Sequence, residues 1–146
     1  MGDQSTVESM DEVAERLMRT SRTIAVVGLS TDPAKSAHTV PARLQQVGYR
    51  VIGVHPTATT LLGEPAYRSL EDIPEPVDFV DVFRPSPEAA GIAEQVVRIG
   101  ARGVWLQLGI ASPEARRIAE EGGLDYVEDR CTAVVLAVTG ARPPAS

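Results

Sequence analysis

Only one cysteine, Cys131, occurs in the 146-residue chain. An intrachain disulfide framework is therefore excluded, and a reducing, cytoplasmic setting is expected. Histidine is nearly as scarce, with His38 and His55 alone, and no Cys, His or carboxylate pattern has metal-ligand spacing. Positive charge is in short supply: 14 Lys and Arg stand against 20 Asp and Glu, for a formal net charge of −6. The basic footprint of a nucleic-acid surface is missing, and attachment to an anionic membrane surface is disfavoured on the same ground. Long apolar runs are lacking too, since CTAVVLAVTG is too short to span a bilayer. The opening MGDQSTVESMDEVAERLMRT carries acids and has no apolar h-region, so no secretory signal is expected there.

Hydrophobic residues make up 43% of the chain, enough for a core without crosslinks or metal. The length fits one domain, 1–146, with a frayed start over residues 1–5 and a flexible tail over about 140–146. Ser9 and Glu12 form a capping box ahead of a helix over about 9–20, with Val13, Ala14, Leu17 and Met18 as its apolar stripe. TIAVVG, from Thr23 to Gly28, is a β-branched run suited to a strand buried on both faces. A helical repeat follows through Ala37, Val40, Leu44 and Val47, closed by Gly48. Pro41 fits its first turns if the helix starts near Thr39.

YRVIGVHP, VDFVDVF, GVWLQLG and LDYVED read as four further strands. Between them lie SPEAAGIAEQVVRIG and SPEARRIAEEGG, two helices entered by Ser-Pro. Ser86 and Ser112 are the expected N-caps, with Pro87 and Pro113 at the first helical positions. Ile92, Ala93, Val96 and Gly100 mark the buried side of the first of these. Alternating strands and helices imply an α/β fold: a single Rossmann-like domain, its sheet mostly parallel, with helices on both faces.

In such a sheet, ligands bind beyond the carboxyl ends of the strands. Four loops lie there. In the first, Gly28 lets the backbone turn and approach a ligand, Ser30, Thr31 and Ser36 offer hydroxyls, and the helix N-terminus favours an anion. The only lysine of the chain, Lys35, sits in this loop. A solvated polar loop accounts for the same residues equally well. A dinucleotide site asks for G-x-G-x-x-G and an acid after the second strand. Here Leu29 and Ser30 follow Gly28, and Val54-His55 ends the second strand. Both departures weaken a nicotinamide nucleotide, although an NAD(P)-dependent oxidoreductase using the same site is the competing reading. His55 is either a ribose or phosphate partner or a capping imidazole. In FRPSP, Arg84 can fork onto phosphate or stack on a base, beside Phe83. Trp105 reads as core, and Gln107 at the strand end can orient a ligand amide. Cys131 follows Arg130, a neighbour that favours a thiolate, yet no Cys-x-x-Cys and no base partner accompanies it. No P-loop, nucleophile elbow or other complete catalytic set is present, so an enzyme is not expected.

Taken together, IAVVGLSTDPAKSAHTVPARLQQVGYRVIGVHP, LLGEPAYRSLEDIPEPVDFVDVFRPSPEA, GVWLQLGI and GLDYVEDRC resemble the small bacterial CoA-binding proteins of the YccU-like type. These are similar to the CoA-binding domain of the succinyl-CoA synthetase alpha subunit. The resemblance covers about 23–132. It implies a protein that binds coenzyme A or an acyl-CoA without catalysis, because the synthetase's phosphohistidine domain has no counterpart here. It further implies Gly28, Leu29 and Ser30 against the diphosphate, Lys35 and Ser36 near the phosphates, and Phe83 and Arg84 at the adenosine end. His55 and Pro56 replace the family's Asn-Pro, and Gln107 falls where the thiol end approaches.

Overall fold

The computed structural model describes residues 7–145; the start expected to be frayed lies outside the described residues. The helix α1 (Met10–Thr20) carries the capping box: Ser9 accepts from Glu12 N–H, and the Glu12 side chain accepts from Ser9 N–H. Its buried residues are Ala14, Leu17 and Met18. Five strands form one all-parallel sheet: β1 (Thr23–Val27), β2 (Arg50–Val54), β5 (Phe79–Val82), β6 (Gly103–Leu106) and β7 (Asp125–Val127), in the order β2-β1-β5-β6-β7. An antiparallel two-residue pair, β3 (Thr60–Leu61) and β4 (Glu64–Pro65), follows β2.

The central strands are buried on both faces, which is why their sequences are apolar runs and not alternations. Side-chain period two still sorts them. Ile24, Val26, Phe79 and Trp105 join one core with α1, α2 (Ser36–Gln46) and α5 (Thr132–Thr139). Ala25, Val80, Val82, Val104 and Leu106 join the other with α3 (Ala89–Ile99) and α4 (Pro113–Glu121). Phe79 and Trp105 stack with ring centroids 5.7 Å apart, and the indole N–H donates to Arg130 O at 2.8 Å.

Three local expectations give way. The helix α2 starts at Ser36, so Pro41 stands in its interior. A proline there has no N–H for the carbonyl four residues back. That carbonyl, Ala37 O, accepts from Ser30 N–H at 3.0 Å instead. Second, Ser86 is not a side-chain cap: Ser86–Glu88 is a 3-10 turn, Glu88 N–H bonds Pro85 O, and the Ser86 hydroxyl accepts from Ala111 N–H at 3.2 Å. Third, Gly100 is exposed and takes the left-handed conformation that ends α3, while Ile92, Ala93 and Val96 are buried as expected. Ser112 does cap α4, accepting from Ala115 N–H at 3.0 Å. Within 140–146, the stretch expected to be a flexible tail, Ala141 is buried, and the Arg22 guanidinium donates to Pro144 O and Ala145 O. Among the described residues no helix is long and apolar enough to cross a membrane.

Candidate functional site

From β1 the chain moves outward to β2, then crosses back to β5 on the other side of β1. The carboxyl ends of β1 and β5 therefore flank the crevice where open α/β sheets hold ligands. A cleft of about 720 Å³ opens there.

Its floor begins at Gly28, where φ is +92°. A Cβ at this position would lie 3.0 Å from Arg84 Cδ and 3.1 Å from Phe83 O. Glycine thus lets the loop after β1 pack directly on the loop after β5. Leu29 sends its side chain into the core, so only its backbone faces the cleft. Ser30 is bonded on every side. Its N–H donates to Ala37 O, its hydroxyl accepts from Asp32 N–H at 3.0 Å, and its carbonyl lies 2.7 Å from His38 Nδ1. A ring nitrogen against a carbonyl must be the protonated one, so His38 is the Nδ1–H tautomer. Asp32 completes the turn by accepting from Ala34 N–H at 2.9 Å. Lys35 occupies the N-cap of α2 without a side-chain capping bond; His38 N–H donates to Lys35 O at 2.9 Å, so the Ser36 and Ala37 amides are the ones left for an anion.

His55 fulfils one of its two readings in detail. Its Nδ1 accepts from Thr57 N–H at 3.1 Å and Ala58 N–H at 2.9 Å. The proton is therefore on Nε2, which is the imidazole's remaining donor beside the cleft. The same turn is held from outside by Arg68, whose guanidinium donates to the carbonyls of His55, Thr57 and Ala58. Arg84 pairs with Glu88 in a fork, Nε to Oε1 at 3.0 Å and Nη2 to Oε2 at 2.8 Å. This contact raises the guanidinium pKa and holds the Glu88 carboxyl below the ordinary carboxylate range.

The cleft brings together Gly28, Leu29, Ser30, Lys35, His55, Pro56, Phe83 and Arg84. Ser36 and Gln107 do not line it. Gln107 is buried, and its Oε1 accepts from Thr132 N–H at 3.1 Å, which caps α5. Cys131 also lies elsewhere, lining an apolar hollow of about 390 Å³ with Leu108, Val134 and Val138. Thr31, whose hydroxyl the sequence places in the first loop, lines the cleft too, and Arg68, Ser69 and Glu88 join it without having been singled out from sequence. Glu88 was visible as an acid four residues after Arg84. Arg68 carries no sequence signal; the structure places it through its neighbour Tyr67, which bridges to Val54 at the end of β2.

Charge is uneven around this cleft. Arg84 is neutralised by Glu88, whereas Lys35 and Arg68 enter no ion pair among the described residues. The cleft thus carries an excess of positive charge within an acidic chain. Among the described residues no group of His, Cys, Asp or Glu could hold a metal ion.

A family model described as "CoA binding domain" matches residues 22–137, the span that builds the sheet and the cleft. The chain belongs to this CoA binding domain family. The chain is also similar to "Uncharacterized protein YneT" of Bacillus subtilis (strain 168), 40% identical over 131 residues, which are 90% of this chain and 96% of the relative. Cell-free ID.343 from Thermus thermophilus is a structural match with a TM-score of 0.82 and 39% identity, covering 88% of this chain and 97% of that one. The dinucleotide-forming acetyl-coenzyme A synthetase 1 of Ca. Korarchaeum cryptofilum also matches, with a TM-score of 0.69 and 27% identity. There the match takes in 79% of this chain and only 27% of the synthetase chain.

Proposed function

We propose that this CoA binding domain holds coenzyme A or an acyl-CoA in the cleft at the carboxyl ends of β1, β2 and β5, as a binding module without catalysis. The observation that carries the reading is that Lys35, in the loop after β1, and Arg68, beyond β2, line one cleft and enter no ion pair among the described residues. The diphosphate lies on the backbone of Gly28 and Leu29 and the open amides of α2. Lys35 and Arg68 balance the phosphate charge. The His55 Nε2–H meets the ribose phosphate edge, where a dinucleotide site would carry an acid for ribose hydroxyls.

Calorimetric titration with CoA, dephospho-CoA, NADH and NADPH tests this. CoA should bind, dephospho-CoA more weakly, and the nicotinamide nucleotides not measurably. Binding of NADH or NADPH with CoA inert would reverse the assignment in favour of a redox protein.

A further inference from the structure

We infer that the hollow beside Cys131 receives the hydrocarbon chain of an acyl-CoA whose nucleotide lies in the main cleft. The CoA reading above is its premise, and the addition is the class of acyl group preferred, an apolar chain of medium length.

Leu108, Val134 and Val138 are 69%, 56% and 79% exposed, three of the five large apolar side chains left exposed among the described residues. All three line this one hollow of about 390 Å³. Single exposed apolar residues are ordinary, but a cluster of them marks a binding surface. The polar groups around it are already engaged. Arg130 Nε donates to Asp11 at 2.6 Å, Asp129 accepts from Gly109 N–H at 2.7 Å, and the Thr139 hydroxyl donates to Val135 O at 2.7 Å. A polar ligand finds little to bond there, whereas an apolar one meets a leucine, three valines and a thiol. The lining is also held in place. Asp129 N–H donates to Ile110 O, and the Trp105 indole N–H to Arg130 O. The loops after β6 and β7 are thus tied to each other and to the sheet, and a fixed loop presents Leu108 to solvent.

The position of the hollow suits the far end of the same ligand. All five strands are parallel, so their carboxyl ends share one edge. The cleft lies at the ends of β2, β1 and β5, while Leu108 and Cys131 follow the ends of β6 and β7. Phe83 borders both regions: it lines the cleft and packs on the core that holds Leu136 of α5. From the end of β1 to the end of β6 is two strand spacings, about 10 Å. A pantetheine arm is as long as about four extended residues, roughly 15 Å. A thioester carried from a diphosphate at Gly28 therefore reaches the mouth between Leu108 and Cys131. Beyond it, Cys131, Val134, Val135, Val138 and Thr139 recur at helical spacing and turn one face of α5 to the hollow. Eight residues of helical rise make that face about 12 Å long, which matches about ten bonds of an extended chain.

The full chain is titrated calorimetrically with CoA and with acetyl-, hexanoyl- and decanoyl-CoA, each below its micelle concentration. Decanoyl-CoA should bind at least tenfold more tightly than acetyl-CoA. Full burial would give about fourfold per methylene, and an open groove covers only part of each. Cys131 is the only thiol of the chain, so its alkylation by iodoacetamide reports where the chain lies. Decanoyl-CoA should slow that reaction severalfold more than acetyl-CoA does. The double variant Leu108→Ser/Val138→Ser, confirmed as folded by thermal melting, should bring the decanoyl-to-acetyl ratio near one. Val97→Ser, at an exposed valine outside the hollow, should keep the parent's ratio. A parent that binds CoA but holds all three acyl-CoAs equally overturns the inference and leaves the function standing. A chain-length gain that survives in the double variant does the same, as does a Cys131 that decanoyl-CoA fails to shield. A dimer in sedimentation that the double variant breaks would give this face to a second copy of the chain and overturn the acyl site. If neither CoA nor any acyl-CoA binds, the function falls and the acyl site with it.

Discussion

The carbonyl oxygen of Ala37 accepts the backbone N–H of Ser30 at 3.0 Å. It is free to do so because Pro41, four residues on, has no N–H to offer it. A proline inside a helix thus becomes the anchor of the loop that leads into that helix. Pro41→Ala restores a competing donor within α2. The expected result is a helix at least as stable by its backbone, a slackened Gly28–Lys35 loop, and CoA binding weakened about threefold or more, on the scale of one net hydrogen bond. Unchanged affinity in calorimetry would show that the loop holds its shape without this bond.

Gly28 and Gly109 both have positive φ, +92° and +85°, yet only Gly28 has neighbours where a Cβ would go. Gly28→Ala adds backbone strain and presses on Phe83 O and Arg84 Cδ. A loss of ~1–3 kcal/mol in denaturant-measured stability is expected from the strained backbone, together with at least a tenfold loss of CoA affinity as the two loops are forced apart. Gly109→Ala carries the strain without the contact and lies outside the cleft, so it should destabilise and leave CoA affinity alone. Equal effects of both on binding would deny the close loop packing its role.

Arg68 serves two purposes that one substitution can separate. Its guanidinium bonds three carbonyls of the turn after β2, and it enters no ion pair among the described residues. Arg68→Ala should lower stability by ~1–3 kcal/mol, because several carbonyls lose their donor, and should weaken CoA binding. Arg68→Lys keeps the charge but lacks the planar fork. It should recover affinity at low salt more than it recovers the melting temperature. Recovery of stability with no recovery of binding would remove Arg68 from the phosphate site.

What sequence made legible, and what it hid, follows from the range of the interactions. The α1 capping box and the Ser112 cap are settled within three residues, and both were readable. Parallel strands follow from unbroken β-branched runs between helices, so β1 and its neighbours were readable too. The true start of α2 depended on a bond to Ser30, outside the helix. Ser86 looks like a cap, yet it is used by Ala111, 25 residues away. Gln107 sits at a strand end as expected, but its amide is spent on the first turn of α5. Arg68 could not be found by any spacing, because its partners are carbonyls and carbonyls leave no mark in a sequence.

Asp81 offers a test of the core under the site. It lies on β5 in register between Val26 and Trp105 and is fully buried. One oxygen accepts from the Thr132 hydroxyl at 3.2 Å, and the other has no partner. Burial pushes its carboxyl well above the ordinary carboxylate range, and the Thr132 bond offsets this only in part. The folded chain therefore keeps a proton that the unfolded chain releases near pH ~3.9. Above that value the unfolded state binds fewer protons, so stability from this group is full below pH ~3.9 and declines as pH rises toward the folded value. Across that window the slope is about 1.4 kcal/mol per pH unit. Asp81→Asn has no such proton. Its stability should gain on the parent as pH rises above the ordinary carboxylate range, in denaturant titrations across pH. Glu75, held below the ordinary range by Arg50, acts with the opposite sign but in the same way in both proteins, so it cancels in the difference. Parallel pH curves for Asp81→Asn and parent would mean that Asp81 is ionised inside the fold, with its charge balanced by the amide end of α5.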